Sequence, residues 1–242
     1  MENVIEVADL YKSFPGKEVL SGINLSAKKG ENLVIVGKSG EGKSVTLKCI
    51  TGLVEADKGS VKVLEQDVME LDEEGLKNLR CRMGYLFQGG ALYDSMSVRE
   101  NLAFPLKRVM GIKDNNEIEK RSFEVLEAVD LADTMDKMPS ELSGGMRKRM
   151  ALARTLIVRP EIILYDEPTT GLDAMTSLEI SKLILKMQQQ YQSTSIVVTH
   201  DMLCAKTIAD RIIVIKEGKC ICSGSFDELA SSEDQFVRSF FN

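Results

Sequence analysis

Gly37 to Ser44 reads G-K-S-G-E-G-K-S. Leu33, Val34, Ile35 and Val36 precede it, an apolar run short enough for a buried strand. Val45 to Ile50 follows and can begin a helix. Strand, glycine-rich loop and helix, at the spacing G-x-x-x-x-G-K-S/T, form a phosphate-binding signature. The residue types fit that chemistry. Gly37, Gly40 and Gly42 permit a tight loop whose backbone N–H groups face phosphate oxygens. Lys38, Ser39, Glu41 and Val45 supply the remaining amides of the cradle. Lys43 brings a charge to the β- and γ-phosphates, and the Ser44 hydroxyl has the reach of a Mg²⁺ ligand. The helix N-terminus adds its partial positive charge.

The bulk of the chain narrows the setting. It has 242 residues, 43% hydrophobic and 28% charged, the composition of a globular protein. A formal net charge of −6 argues against nucleic acid as a partner, because phosphate backbones need a basic surface. No apolar run nears the ~20 residues of a membrane-spanning helix. The start, M-E-N-V-I-E, lacks the features of a secretory leader. The five cysteines, Cys49, Cys81, Cys204, Cys220 and Cys222, include no C-x-x-C, so free thiols are expected. Cys220 and Cys222 would share one face of a strand.

In chain order, Val4 to Val7 and Val19 to Leu25 read as strands, with Lys12 to Lys17 as a turn. Phe14 is either core or a stacking surface. Val61 to Leu64 and Gly84 to Phe87 read as strands, Asp72 to Arg82 as a helix. Gln88 follows the second strand. From Gly89 onward strand signals are scarce. Ser97 and Glu100 have the spacing of a helix cap. Glu117 to Val129, including Phe123, has apolar residues at helical period, and Gly111 to Asn116 reads as a loop.

Leu142-Ser143-Gly144-Gly145-Met146 predicts a second helix start, with Ser143 as cap. The basic residues after it read as a solvated face. Ile162 to Glu167 is an apolar strand delivering two carboxylates, stopped by Pro168. Beside a phosphate loop, Asp166 suits the Mg²⁺ shell. Glu167, on the other side of the strand, suits orienting and deprotonating water. His200, the single histidine, ends the strand Ser195 to Thr199 and is structural or catalytic. Arg211 to Ile215 and Lys219 to Cys222 predict a hairpin. Phe226 to Ala230 and Gln235 to Phe241 predict short helices.

Together these motifs resemble the ATP-binding cassette (ABC) ATPases over essentially the whole chain. Leu142 to Gly145, between the phosphate loop and Asp166-Glu167, is highly specific to that family. The resemblance implies a role for each matching residue. Phe14 is the adenine-stacking aromatic. Gln88 touches Mg²⁺ and the attacking water. Ser143, Gly144 and Gly145 meet the γ-phosphate held by another subunit. Asp173 is the D-loop aspartate at the dimer interface, and His200 contacts the γ-phosphate. The family's signature most often continues with Gln where this chain has Met146. Gly89-Gly90-Ala91-Leu92, Ser97 to Leu106 and the Met146 variant are similar to the ATPases of Mla-type phospholipid transporters. Amino-acid and methionine importers share much of the pattern.

The expected fold is α/β: a P-loop NTPase (RecA-like) core with a mainly parallel sheet. A small N-terminal antiparallel β subdomain and an inserted α-helical signature subdomain complete it. The chain is expected to be one ABC ATPase domain, with a core of about 1–88 and 160–242 and a helical subdomain of about 89–159. The resemblance further implies ATP and Mg²⁺, a head-to-tail homodimer burying two ATP, and a separate permease docked near Gln88 to Leu106. The place implied is the cytoplasmic face of the cell membrane, peripherally. A soluble ABC ATPase working without a permease is the other reading.

Overall fold

The computed structural model describes residues 2–241, and β1 (Asn3–Phe14) and β2 (Lys17–Lys28) already depart from expectation. Both run 12 residues, so only Pro15 and Gly16 are left to turn. The predicted turn from Lys12 was too early. Asp57 explains the difference: its carboxylate accepts from Lys12 Nζ at 2.7 Å and from the Ser13 amide at 2.6 Å. A distant residue thus holds Lys12 and Ser13 extended.

The phosphate-loop strand is β3 (Asn32–Val36), and α1 (Lys43–Ile50) follows. Then come β4 (Lys58–Val63), the short β5 (Gln66–Asp67) and α2 (Glu73–Cys81). Strands β2-β1-β4-β5 make an antiparallel sheet. After β6 (Met83–Leu86) the chain is helical: α3 (Val98–Arg108), α4 (Asn115–Ala128) and α5 (Gly144–Leu156). The Ser97–Glu100 capping box forms as expected. Asp114 caps α4, so the loop before it ends earlier than Asn116. Phe123, read as apolar helix face, is half exposed.

Strand β7 (Ile162–Asp166) leads to α6 (Ala174–Tyr191), an 18-residue helix that is not among the elements expected from the sequence. It is followed by β8 (Thr194–Thr199), α7 (Met202–Ile208), β9 (Arg211–Lys216), β10 (Lys219–Gly224), α8 (Phe226–Ala230) and α9 (Gln235–Arg238). The second sheet has the order β10-β9-β3-β8-β7-β6, parallel except for edge strand β10.

Alternation along the strands divides the core in two. Leu33, Ile35, Leu164, Ile196 and Val198 face the β1–β4 sheet and α1. Val34, Val36, Ile163, Tyr165 and Val197 face α5, α6 and α7. Strands covered on both faces read as continuous apolar runs, as β3, β7 and β8 do. In β10 a bulge between Cys220 and Cys222 breaks the alternation, so Cys220 packs on the first cluster and Cys222 on the second. They do not share a face. All five thiols are free.

Asn101 ties the helical segment to the loop after β6. It is fully buried, and its Nδ2 donates to the carbonyls of Tyr93, Met96 and Ser97. Its Oδ1 accepts from the Tyr93 amide at 2.9 Å. Asn101→Ala leaves the half-buried Tyr93 amide and Met96 carbonyl without a partner, while Tyr93 O and Ser97 O keep the Met96 and Asn101 amides. The expected loss is roughly 2–4 kcal/mol, from about 1–3 kcal/mol per unsatisfied buried group. Calorimetry should show a fall of several degrees in Tm; an unchanged Tm refutes the hub.

Candidate functional site

Four parallel strands end level with one another. Val36 is opposite Thr199, Asp166 opposite Val198, and Leu86 opposite Tyr165. The order β3-β8-β7-β6 therefore sets the phosphate loop, His200, Glu167 and Gln88 side by side. The carboxyl edge of a parallel sheet is where such folds bind ligands. A cleft of about 700 Å³ opens there, lined by Phe14, Ser39, Gly40, Gly42, Lys43, Ser44, Val45, Gln88, Glu167 and His200. Lys17 and Val19 line it too, and no local signal in the sequence marks them.

The start of α1 is made for an anion. Every other α-helix among the described residues is capped by an Asp or Ser side chain. Helix α1 has Gly42 there, at φ 95°, with no side-chain cap and no acid in its first turn. Its unpaired N–H groups and positive dipole end face the cleft. A side chain at Gly42 would strike Leu20 Cδ2 at 2.5 Å and Val19 O at 2.9 Å, so glycine is required.

Lys43 is buried. Its Nζ donates to Gly37 O at 2.8 Å and Lys38 O at 3.1 Å, and lies 3.8 Å from Glu167 Oε1. Burial lowers its pKa, opposed by the charges of Glu167, Glu41 and Asp166. The Ser44 hydroxyl donates to Asp166 Oδ1 at 2.6 Å, and Tyr85 donates to Asp166 Oδ2 at 3.1 Å. Burial, then the charge of Asp166, raises the Tyr85 pKa, so this phenol stays protonated. Among the described residues no three His, Cys, Asp or Glu side chains gather as a metal cage. A hydroxyl and a carboxylate in contact fit Mg²⁺ nonetheless, which takes few protein oxygens and fills its shell with phosphate and water.

Glu167 reaches the cleft by a route that strand alternation does not describe. Strand β7 stops at Asp166, and Glu167 takes a left-handed backbone, φ 51°. Its amide still donates to Val198 O at 2.9 Å, so the turn is held from β8. The carboxylate is buried against His200. Glu167 Oε2 lies 2.8 Å from His200 Nδ1, accepts from the His200 amide at 3.3 Å, and takes the Thr170 hydroxyl at 3.3 Å.

The other expected residues lie elsewhere. Lys38 and Glu41 turn away from the cleft: Lys38 Nζ sits over the Phe236 ring at 5.4 Å, and Glu41 accepts from the Glu217 amide. Gly37 approaches β9, where a Cβ would meet Ile215 O at 2.7 Å. Ser143, Gly144 and Gly145 start α5 and do not line the cleft. Ser143 Oγ accepts from the Met146 amide at 3.2 Å, which leaves its hydrogen free to donate. Asp173 caps α6, accepting from the Met175 and Thr176 amides and the Thr176 hydroxyl. These hydrogen bonds, the Thr176 hydroxyl first, lower its pKa.

Lys43→Ala removes the buried cation and leaves β3 and α1 in place. Loss of a charge-assisted hydrogen bond to phosphate is expected to weaken ATP binding about ten- to hundredfold. Calorimetric titration measures it, with circular dichroism confirming the fold; unchanged affinity contradicts the assignment of this loop.

Comparison with known proteins agrees with this geometry. A model of the ABC transporter family matches residues 20–170. A probable ribonucleotide transport ATP-binding protein of Mycobacterium leprae is 38% identical over 238 residues, covering 98% of this chain and 68% of that protein. A methionine import ATP-binding protein of Clostridium tetani is 39% identical over 226 residues, 93% of this chain and 70% of that one. The chloroplastic protein trigalactosyldiacylglycerol 3 of Arabidopsis thaliana is 37% identical, covering 98% of this chain and 73% of that one. The chain spans about two thirds of the length of the mycobacterial relatives. Among solved structures, a dimeric ATP-binding cassette in a post-hydrolysis state with ADP and Pi superposes with a TM-score of 0.83. It is 32% identical and covers 91% of this chain and 98% of that one. The family match over residues 20–170 takes in the uncapped start of α1, the buried Lys43 and Glu167, and a relative 38% identical extends over 98% of the chain: the chain belongs to the ABC transporter ATP-binding family, and it binds and hydrolyses ATP.

Proposed function

We propose that this subunit powers a separate membrane permease by closing and opening a homodimer around ATP. One observation carries the reading: Lys43, Glu167 and His200 converge beside the free N-terminus of α1 in a single cleft. Phe14, 42% exposed at the end of β1, offers its ring to adenine. The amides of Gly37 to Val45 hold the phosphates, with Lys43 at the β- and γ-groups. Ser44, Asp166 and Gln88 would hold Mg²⁺, which would supply charge neutralisation at the phosphates. Glu167 takes a proton from water as its oxygen attacks the γ-phosphorus and the bond to ADP breaks. His200 fixes that carboxylate and contacts the γ-phosphate.

Half of each site comes from a second copy. Ser143, with its hydroxyl hydrogen free, and the Gly144 and Gly145 amides at the start of α5 suit a γ-phosphate. They lie outside their own chain's cleft, so a head-to-tail partner must present them. Asp173 then stands at the dimer interface. Closure follows ATP because the γ-phosphate contacts exist only in the closed form. Residues 89–159 act as the helical subdomain of one ATPase domain, between core segments 1–88 and 160–242.

No helix among the described residues is long and apolar enough to cross a membrane. The likeness to transporter ATP-binding proteins supports separate permease subunits as partners, with this chain working peripherally on the cytoplasmic face. The cargo proposed is phospholipid. Support comes from Gly89 to Leu92, Ser97 to Leu106 and Met146, and from the lipid in the name of the plant relative. The clostridial likeness favours a methionine importer instead. ATP turnover of the assembly in phospholipid vesicles, with and without added methionine, separates the two. Stimulation by methionine alone overturns the lipid reading.

Glu167→Gln keeps size and most hydrogen bonds but cannot accept the proton. Turnover is expected to fall roughly 10²–10⁴-fold, with the protein accumulating as an ATP-bound dimer. Phosphate release beside size-exclusion mass measures this; near-normal turnover shifts the base to another group. Ser143→Arg is expected to bind ATP in its own cleft yet fail to hydrolyse it. Hydrolysis by a monomer of that variant contradicts the shared site.

A further inference from the structure

The signature helix and the Gln88 loop are fastened at three points. Lys148 Nζ donates to Gln88 O at 2.5 Å. One turn along α5, Ala151 Cβ lies 3.2 Å from where a Cβ on Gly90 would stand, so the loop touches the helix there. Another turn along, Arg154 Nη2 donates to Gly90 O at 3.3 Å, and its guanidinium covers the Tyr93 ring at 5.2 Å. Residues three apart on a helix share a face, so 148, 151 and 154 form one continuous grip.

Among the adjacent basic residues, Lys148 alone reaches this loop. Arg147 donates to Leu142 O, within its own helix start. Arg149 pairs with Asp130 and Glu179. Lys148 is half-buried, and burial lowers its pKa while the charge of Glu167 opposes the fall. Its ammonium is held at the Gln88 carbonyl, where the charge of Glu167 is felt. A solvated basic face, the reading from sequence, does not describe it.

We infer that Lys148 is a positioning residue, which pins the Gln88 loop to the helix that begins at Ser143. Gln88 and Ser143 then travel as one body. When a partner's γ-phosphate draws Ser143, the pinned loop holds Gln88 at its own chain's cleft, so both halves of the dimer close together. This rests on the proposed roles of Gln88 and Ser143. The pin itself does not: it is a contact that can be broken and observed.

The test compares Lys148→Met, which keeps the stem and removes the charge, with Lys148→Arg, which keeps a donor. Amide exchange of the full chain without nucleotide is the first measurement. Lys148→Met is expected to speed exchange of residues 89–92 roughly tenfold, the scale of one charge-assisted hydrogen bond. The amides of β3 and β8 are expected to stay unchanged, and Lys148→Arg to behave as the parent. Unchanged exchange at 89–92, or equal acceleration throughout the core, overturns the pin. The second measurement is ATP turnover of the assembled protein. Lys148→Met is expected to lower kcat several-fold with ATP KM little changed, since the phosphate loop is intact. A loosened loop with unchanged kcat overturns its service to turnover. Gln88→Ala run alongside separates the two ideas. If that variant turns over normally, the role of Gln88 falls, while the exchange result still decides the pin.

Discussion

Lys43 carries its charge where water barely reaches, and much of the site follows from that. An isolated ammonium in a protein interior is costly. Two loop carbonyls and a carboxylate 3.8 Å away offset only part of the cost. The α1 amides beside it point their positive end the same way. Positive charge and donors therefore accumulate at one spot, and a triphosphate is the counter-charge that fits. Burial serves binding here more than stability, since the cation is held ready rather than neutralised.

The carboxylate that faces Lys43 is held as tightly. Glu167 sits in a left-handed backbone that a non-glycine residue adopts at some cost. Pairing with Val198 O and contacts to His200 and Thr170 hold it there. The strained turn lifts the carboxylate out of the strand, while Asp166, still in the strand, meets Ser44. Two adjacent acids thus face different partners because the backbone changes hand between them. A carboxylate placed by fixed contacts needs little rearrangement when a ligand arrives.

Helix α5 links this centre to the rest of the molecule. Its first turn presents Ser143, its middle grips the Gln88 loop, and Arg149 reaches α6 through Glu179. Asn101 and Arg154 supply polar anchors where the helical segment meets that loop. A buried polar group with its partners in place, as Asn101 is, fixes one arrangement, where an apolar contact would allow several.

Elements whose causes are local are legible in adjacent residues. The phosphate loop, the Ser97 capping box, the Ser143 cap, the apolar strands β3, β7 and β8, and the hairpin at Glu217-Gly218 all follow from neighbours within a few residues. So do Ser39, Gly40 and Gly42 to Val45, which line the cleft, and the family that they mark. Tertiary structure decided what depends on distant partners. Asp57 stretched β1 past Lys12, a bulge sent Cys220 and Cys222 to different clusters, and the Val198 carbonyl turned Glu167 out of its strand. Tyr85 found Asp166 and Lys148 found Gln88 across 81 and 60 residues. Helix α6, buried along much of its length and bare of motifs, escaped for a related reason: its role is to cover a sheet that the sequence does not display. Local chemistry writes a cap or a loop into adjacent residues, whereas a contact between remote residues exists only once the sheet has brought them together.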